Sequence, residues 1–90
     1  MVKQHFNISL RGKVQGVGFR YSAKQKADEL GLMGYARNLW DGSVFIEAEG
    51  EAKALDEFAR WLKAGPGLSR VDTVSIEAGK VAGYREFAIY

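Results

Sequence analysis

The chain has 90 residues, enough for a small hydrophobic core, and we expect residues 1–90 to form a single domain. Because the sequence has no cysteine, no membrane-spanning apolar run and no signal-peptide pattern, disulfides and thiolate metal sites are excluded and we expect a cytoplasmic protein. The formal net charge of +2 permits nucleic-acid binding but does not demand it.

The first half of the chain predicts a strand, a helix and a β-hairpin, in that order. Apolar residues alternate with polar ones in a half-buried first strand, at Phe6, Ile8 and Leu10. A helix follows, with Gly31 at the position of a C-cap glycine and one apolar face formed by Phe19, Ala23, Ala27 and Leu30. A second strand is predicted from Met33 to Trp40. Asp41-Gly42 is a hairpin turn, and it leads into a third strand with Val44, Ile46 and Ala48 on one face.

The second half predicts one more helix and two more strands. The helix has an apolar stripe of Leu55, Phe58, Ala59 and Leu62, and Gly65-Pro66-Gly67 ends it. A fourth strand alternates at Val74, Ile76 and Ala78, and a short last strand contains Phe87 and Ile89. The order is βαββαβ with an extra C-terminal strand. This order predicts an α+β, ferredoxin-like fold, with two helices on one face of an antiparallel sheet.

The glycine-rich segment of residues 12–20 joins the first strand to the first helix, and it has the composition of an anion site. Its glycines allow backbone N–H groups to approach a ligand closely, Arg20 supplies a bidentate cation, and the helix N-terminus adds positive potential. The first 27 residues contain six Lys or Arg and no acidic residue. These features indicate a phosphate site, although a strand-to-helix turn beside a basic surface explains the same glycines.

Asn38 is the second candidate residue. The first two strands, joined through a crossover helix, should run parallel, so their carboxyl ends meet at one edge of the sheet. Asn38 should therefore emerge beside the glycine-rich segment, where a neutral amide can orient a water molecule.

Other reaction classes have little support in the sequence. His5 lies far from the glycine-rich segment, and its place on an alternating strand is typical of a surface or core-edge residue. Glu47 and Glu49 are interpreted as the solvated face of the third strand. The segment also lacks the Gly-Lys-Ser/Thr ending of an ATP-binding loop, and no metal site is predicted. The larger aromatic residues are expected in or at the edge of the core: Tyr35, Trp40, Phe45 and Trp61.

Two blocks of the sequence resemble the acylphosphatase family. The first is Gly12-x-Val14-Gln15-Gly16-Val17-Gly18-Phe19-Arg20, and the second is Gly31-Leu32-x-Gly34-Tyr35-Ala36-x-Asn38. Asp41-Gly42-x-Val44, Gly50 and Phe87-x-Ile89 also fit the family pattern. The resemblance runs from the first strand to the C-terminus, and it implies hydrolysis of the carboxyl–phosphate bond of acyl phosphates without a metal or cofactor.

Carried over by position, the resemblance implies a role for each site residue. Arg20 would bind the phosphoryl group and Asn38 would position the attacking water. The phosphate cradle would be the backbone amides of Gln15, Gly16, Val17, Gly18, Phe19 and Arg20. We expect a monomer that acts on a small acyl phosphate, with inorganic phosphate as product and competitive inhibitor.

Two departures from the family pattern matter. Some family members have a threonine directly after the asparagine, where this chain has Leu39, so any hydroxyl support for the water must come from elsewhere. The domains that open large hydrogenase-maturation carbamoyltransferases typically have a proline after the Phe-Arg pair. Here Tyr21-Ser22 follows, which favours a free-standing enzyme.

A nucleic-acid-binding module is the alternative function, because RNA-recognition domains share the ferredoxin-like plan. Such domains stack bases on aromatic residues of their central strands. In this sequence Phe6 is assigned to the core face, which leaves Phe45 as the candidate stacking residue.

Overall fold

The computed structural model describes residues 3–90, which form five strands and two helices. In chain order the elements are β1 (Lys3–Lys13), α1 (Phe19–Leu30), β2 (Met33–Asn38), β3 (Val44–Glu51), α2 (Ala52–Ala64), β4 (Arg70–Gly79) and β5 (Phe87–Ile89). The ferredoxin-like α+β fold with an extra short last strand is therefore confirmed. Neither of the two helices is long and apolar enough to cross a membrane.

The sheet has the strand order β4-β1-β3-β2-β5. β1 is antiparallel to both β4 and β3, and β2 is antiparallel to β3. β5 pairs parallel to β2, so the sheet is mixed rather than antiparallel throughout. Since β1 and β2 are each antiparallel to β3, they run parallel to one another, and their carboxyl ends lie at the same edge, as predicted.

The core lies between one face of the sheet and the two helices. Ile8 and Leu10 of β1 pair with Ile46 and Val44 of β3, and all four side chains are fully buried. The buried face of α2 is the one that its apolar stripe predicted: Leu55, Phe58, Ala59 and Leu62. Gly31 ends α1 in the left-handed conformation, which also agrees with the prediction.

Trp40 is fully exposed, which contradicts its assignment to the core or the core edge. β2 ends at Asn38, two residues earlier than predicted, so Trp40 lies in the turn of the hairpin, where its side chain is 99% exposed. No second layer of structure covers a residue at the tip of a turn. Tyr35, Phe45 and Trp61 are half-buried, in line with a place at the edge of the core.

The crossover segment (residues 80–86) joins β4 at one edge of the sheet to β5 at the other. Four strand spacings of about 4.8 Å separate these edges, roughly 19 Å in all, a distance that seven residues can span at about 3.3 Å each. Glu49 holds the segment in place. Its carboxylate accepts the backbone N–H groups of Ala82, Gly83 and Tyr84 at 2.8, 2.8 and 2.9 Å.

His5 and Glu49 form a buried pair on the sheet face opposite the helices. Their residues are only 3% and 2% exposed, so their assignments to a surface or core edge and to a solvated face are wrong. His5 Nδ1 lies 2.8 Å from Glu49 Oε1, and Nε2 lies 3.0 Å from Asn7 Oδ1 and 3.1 Å from Glu47 Oε1. The strand pattern marked this face as polar, but it could not show that the crossover segment covers it.

The surroundings of the pair favour its charged form. Burial disfavours the imidazolium, but hydrogen bonds to Glu49 and Asn7 and the charges of Glu47 and Glu49 outweigh it and raise the pKa of His5 above 6.5. Burial likewise opposes ionisation of Glu49, but the three backbone N–H groups and His5 lower the pKa of that carboxyl below 4.5. Burial and Glu47 also raise the pKa of Tyr84, which lies over His5, to about 12.

These shifts predict a pH dependence of stability. A raised His5 pKa stabilises the fold fully below 6.5, and the contribution is lost as pH rises through the folded-state pKa. We therefore expect the free energy of unfolding to fall as pH rises above about 6.5, the ordinary histidine pKa, through the raised folded-state pKa of His5. His5 is the only histidine in the sequence, so His5→Gln should remove this slope. Urea unfolding at each pH measures it.

Two further variants, one in the buried pair and one control, test whether the slope comes from the pair of His5 and Glu49. Glu49→Gln should also flatten the slope, because a neutral amide favours the imidazolium far less. Glu77→Gln removes an exposed carboxylate from β4 and should keep the slope. Equal slopes in wild type and His5→Gln would show that the pair does not stabilise the fold through its charge.

Candidate active site

A cleft of about 170 Å³ opens at the sheet edge where β1, β2 and β5 end. It contains four of the six residues predicted for the phosphate cradle together with Asn38. Gln15 and Val17 are the cradle residues that do not line it. The lining residues are Val14, Gly16, Gly18, Phe19, Arg20, Tyr21, Asn38 and Ile89.

The β1–α1 loop (residues 14–18) alternates anchored and exposed positions. Val14 is buried and Val17 packs half-buried against the core, while Gly16 and Gly18 are exposed. Both glycines have positive φ angles, 74° and 71°, which residues with a Cβ atom rarely adopt. A Cβ built at either glycine would meet nothing within 4 Å, so conformation rather than crowding requires glycine here.

Backbone N–H groups face no internal acceptor along this stretch. Within the described range, residues 3–90, no hydrogen bond uses the N–H groups of residues 15–20. Gly18 is the N-cap of α1, whose first turn has no acidic residue and no side-chain cap. The positive end of the helix dipole and its unsatisfied donors therefore lie beside the cleft.

Arg20 lies in the first turn of α1 and links it to β5. Its Nη1 donates a hydrogen bond to the main-chain oxygen of Tyr90, and Lys24, one turn later, donates to the carbonyl oxygen of Phe87 at 2.8 Å. These contacts fix β5, and with it Ile89, against the helix. A guanidinium has five N–H donors, so the bond to Tyr90 leaves others for an anion in the cleft.

Asn38 is the last residue of β2 and pairs with Val44 of β3. Its Oδ1 atom is buried, and no residue in the part of the chain that the structure describes gives it a hydrogen bond. A buried carbonyl oxygen without a donor is costly, so such groups are normally paired with protein or water. Asn38 therefore offers an acceptor to a molecule bound in the cleft.

The Gln15 side chain makes two hydrogen bonds that the sequence pattern does not predict. Its Nε2 donates to the carbonyl oxygens of Leu39 and Ser43, at 2.8 and 2.9 Å. The β1–α1 loop is thereby tied to the hairpin immediately after Asn38. A Gln at a loop position gives no sequence signal for such a bond, because its partners are backbone atoms that any residue would supply.

The acidic residue of the hairpin turn, Asp41, is neutralised by Arg11 at 3.1 Å. Hydrogen bonds from the Ser43 hydroxyl and N–H and the charge of Arg11 lower the pKa of Asp41. Among residues 3–90, no group of three or more His, Cys, Asp or Glu residues is arranged to hold a metal ion.

The sheet face that RNA-recognition domains use is occupied by other groups here. Tyr84 of the crossover segment lies over His5, and its hydroxyl donates to Glu47 at 2.9 Å. Phe45, the candidate stacking residue, is half-buried beside Tyr35. The carboxylates of Glu47 and Glu49 and the covering segment make this face a poor match for a nucleic-acid backbone.

Comparisons with known proteins agree with the fold. The sequence model of the acylphosphatase family, described as "Acylphosphatase", matches residues 6–89. An acylphosphatase from Thermus thermophilus is 51% identical over 81 residues, which cover 90% of this chain and 92% of that protein. One from Caldanaerobacter subterraneus is 43% identical over 90 residues and is matched over its full length.

A solved structure extends the similarity to three dimensions. The acylphosphatase from Bacillus subtilis superposes with a TM-score of 0.94 at 38% identity, over 97% of this chain and 98% of that one. From its sequence, its fold and its likeness to these enzymes along nearly their whole length, the chain belongs to the acylphosphatase family.

Proposed function

We propose that this enzyme hydrolyses acyl phosphates in the cleft between the β1–α1 loop and Asn38. The observation that carries the proposal is the meeting, in one cleft, of free loop N–H groups, a guanidinium and an unpartnered amide oxygen. Residues 1–90 act as a single acylphosphatase-like domain and as a monomer. Hydrolysis of a simple aromatic acyl phosphate by the purified protein is the direct test.

The phosphoryl group binds to the N–H groups of residues 15–20 and to Arg20. These donors and the N-terminus of α1 surround it with fixed positive charge. Phosphoryl transfer has a loose transition state with charge on the three equatorial oxygens, so donors already in position stabilise it without rearranging. The carboxylate leaves readily, and positioning and charge stabilisation supply most of the catalysis.

Asn38 positions the attacking water. Its Oδ1 atom accepts one water hydrogen and directs the oxygen lone pair at phosphorus, opposite the carboxylate. The new P–O bond forms as the bond to the carboxylate oxygen breaks, and the carboxylate leaves with the electron pair. A phosphoryl oxygen takes the proton of the water, so the step needs no protein base.

Arg20→Ala should lower kcat/KM by about 100-fold or more, because it removes a charge-assisted bidentate contact to the transferring group. Arg20→Lys should also be severely impaired, since a point charge does not reproduce the planar fork. Steady-state kinetics with the aromatic acyl phosphate measures both. The matched control is Arg60→Ala, which removes an exposed arginine from α2 and should leave kinetics unchanged. Activity of Arg20→Ala near that of wild type would overturn the role of Arg20.

Asn38→Ala should lower kcat by about 100-fold or more while inorganic phosphate binds with nearly unchanged affinity. The amide acts on water and not on the phosphoryl group, so only the rate depends on it. Kinetics and calorimetric titration with phosphate separate the two quantities. A parallel loss of phosphate affinity would instead assign Asn38 to the cradle.

Activity should persist in excess chelator, and inorganic phosphate should inhibit competitively. The positive charge that a metal ion supplies in other phosphoryl-transfer enzymes comes here from the loop N–H groups, Arg20 and the N-terminus of α1. The same groups bind the phosphate product as well as the phosphoryl group of the substrate. Inhibition kinetics in chelator tests both statements. Loss of turnover in chelator that magnesium restores would contradict the metal-free mechanism, and noncompetitive inhibition would separate the anion site from the chemistry.

A further inference from the structure

We infer that the Gln15 side chain is a positioning residue that sets the distance between the phosphate cradle and the water held by Asn38. The inference rests on the proposed function, because it assigns the cradle to the β1–α1 loop and the water to Asn38. It concerns the side chain of Gln15, whereas the proposed cradle uses only its backbone N–H.

The geometry of the amide fits this role. A glutamine Nε2 carries two hydrogens, and here two carbonyl oxygens, those of Leu39 and Ser43, accept at 2.8 and 2.9 Å. Leu39 and Ser43 flank the hairpin turn, and the N–H of Leu39 donates to the carbonyl of Ser43 at 2.8 Å. One side chain from the loop thus holds both sides of the hairpin base.

Asn38 is directly followed by Leu39, whose carbonyl oxygen accepts a hydrogen bond from Gln15. A shift of the Leu39 carbonyl moves the backbone of Asn38 and so the direction of its Oδ1. No strand pairing joins the β1–α1 loop directly to β2, because β3 lies between β1 and β2. Gln15 is the side chain that bridges this gap.

The hairpin does not need Gln15 to satisfy its own backbone. The Ser43 carbonyl also accepts from Leu39, and the Leu39 carbonyl also accepts the N–H of Gly42 at 3.2 Å. Asp41 holds the turn as well, by accepting the N–H and hydroxyl of Ser43 at 3.0 and 2.6 Å. Removing the Gln15 amide therefore leaves a folded hairpin, still tied to β1 through Arg11 and Asp41, that has lost its direct link to the loop.

A misplacement of about 1 Å can cost about 100-fold in rate, so small movements of the hairpin matter for catalysis. We expect Gln15→Met, which keeps length and loses both N–H donors, to lower kcat by about 10- to 100-fold. The phosphate inhibition constant should change by less than about threefold, since the cradle N–H groups stay in place. Gln15→Lys, whose ammonium can donate to both carbonyls, should recover part of the lost kcat.

A double-mutant cycle with Asn38→Ala is the decisive experiment. If Gln15 acts through Asn38, then Gln15→Met should lower the residual kcat of Asn38→Ala by less than about threefold. The inference would be overturned if Gln15→Met lowered kcat by the same factor in wild type and in Asn38→Ala. It would also be overturned if phosphate inhibition weakened by the same factor as kcat. Gln25→Met, an exposed substitution on α1, is the control and should change neither quantity.

Nuclear magnetic resonance separates failure of the inference from failure of the proposed function. In Gln15→Met, the side-chain amide signals of Asn38 should shift and broaden, whereas in Gln25→Met they should stay as in wild type. This result does not depend on turnover. Absence of acyl-phosphate hydrolysis by wild type would refute the function, and unchanged Asn38 signals in Gln15→Met would refute the positioning.

Discussion

The pairing of β3 with both β1 and β2 is the constraint on which the cleft depends. Leu10, Val44 and Asn38 form one row across the three strands, because Leu10 pairs with Val44 and Val44 pairs with Asn38. Asn38 therefore lies two strand spacings, about 10 Å, from β1 at the edge where the β1–α1 loop begins. A slip of one residue in either pairing would turn Asn38 to the opposite face of the sheet.

The fold separates two kinds of polar chemistry. At the sheet edge, N–H donors and Arg20 create positive potential, and the one acid of the hairpin turn is paired with Arg11. On the face away from the helices, the buried carboxylate of Glu49 is compensated by His5 and by the N–H groups of the crossover segment. The second group fixes the crossover segment, which leads directly into β5 and so into the wall of the cleft at Ile89. The buried pair of His5 and Glu49 thus helps to position the wall of the cleft through the crossover segment and β5.

Most of the fold could be predicted from local sequence patterns. The apolar stripe of α2 and the alternation in β1 each arise from burial against one surface. The structure confirms both elements. Asn38 could be assigned to the cleft because the topology alone brings the ends of β1 and β2 to one edge. The predictions for Trp40 and Glu49 are wrong for a common reason. Their environment is set by where the hairpin turns and by a segment more than thirty residues away, and neither feature leaves a periodic pattern.

The backbone of Leu39 makes hydrogen bonds near the site, whereas its side chain makes none. A leucine side chain has no hydrogen-bonding group, so it cannot support the water as a threonine could. Its main chain, however, contributes the carbonyl that accepts from Gln15 and the N–H that donates to Ser43. Any residue except proline supplies both groups. If alignment of Asn38 depends on the backbone at this position, then the side chain there can vary while the glutamine that holds the backbone cannot. On the positioning role that we infer for Gln15, a leucine at position 39 is compatible with the site, because the bond from Gln15 uses only the backbone there.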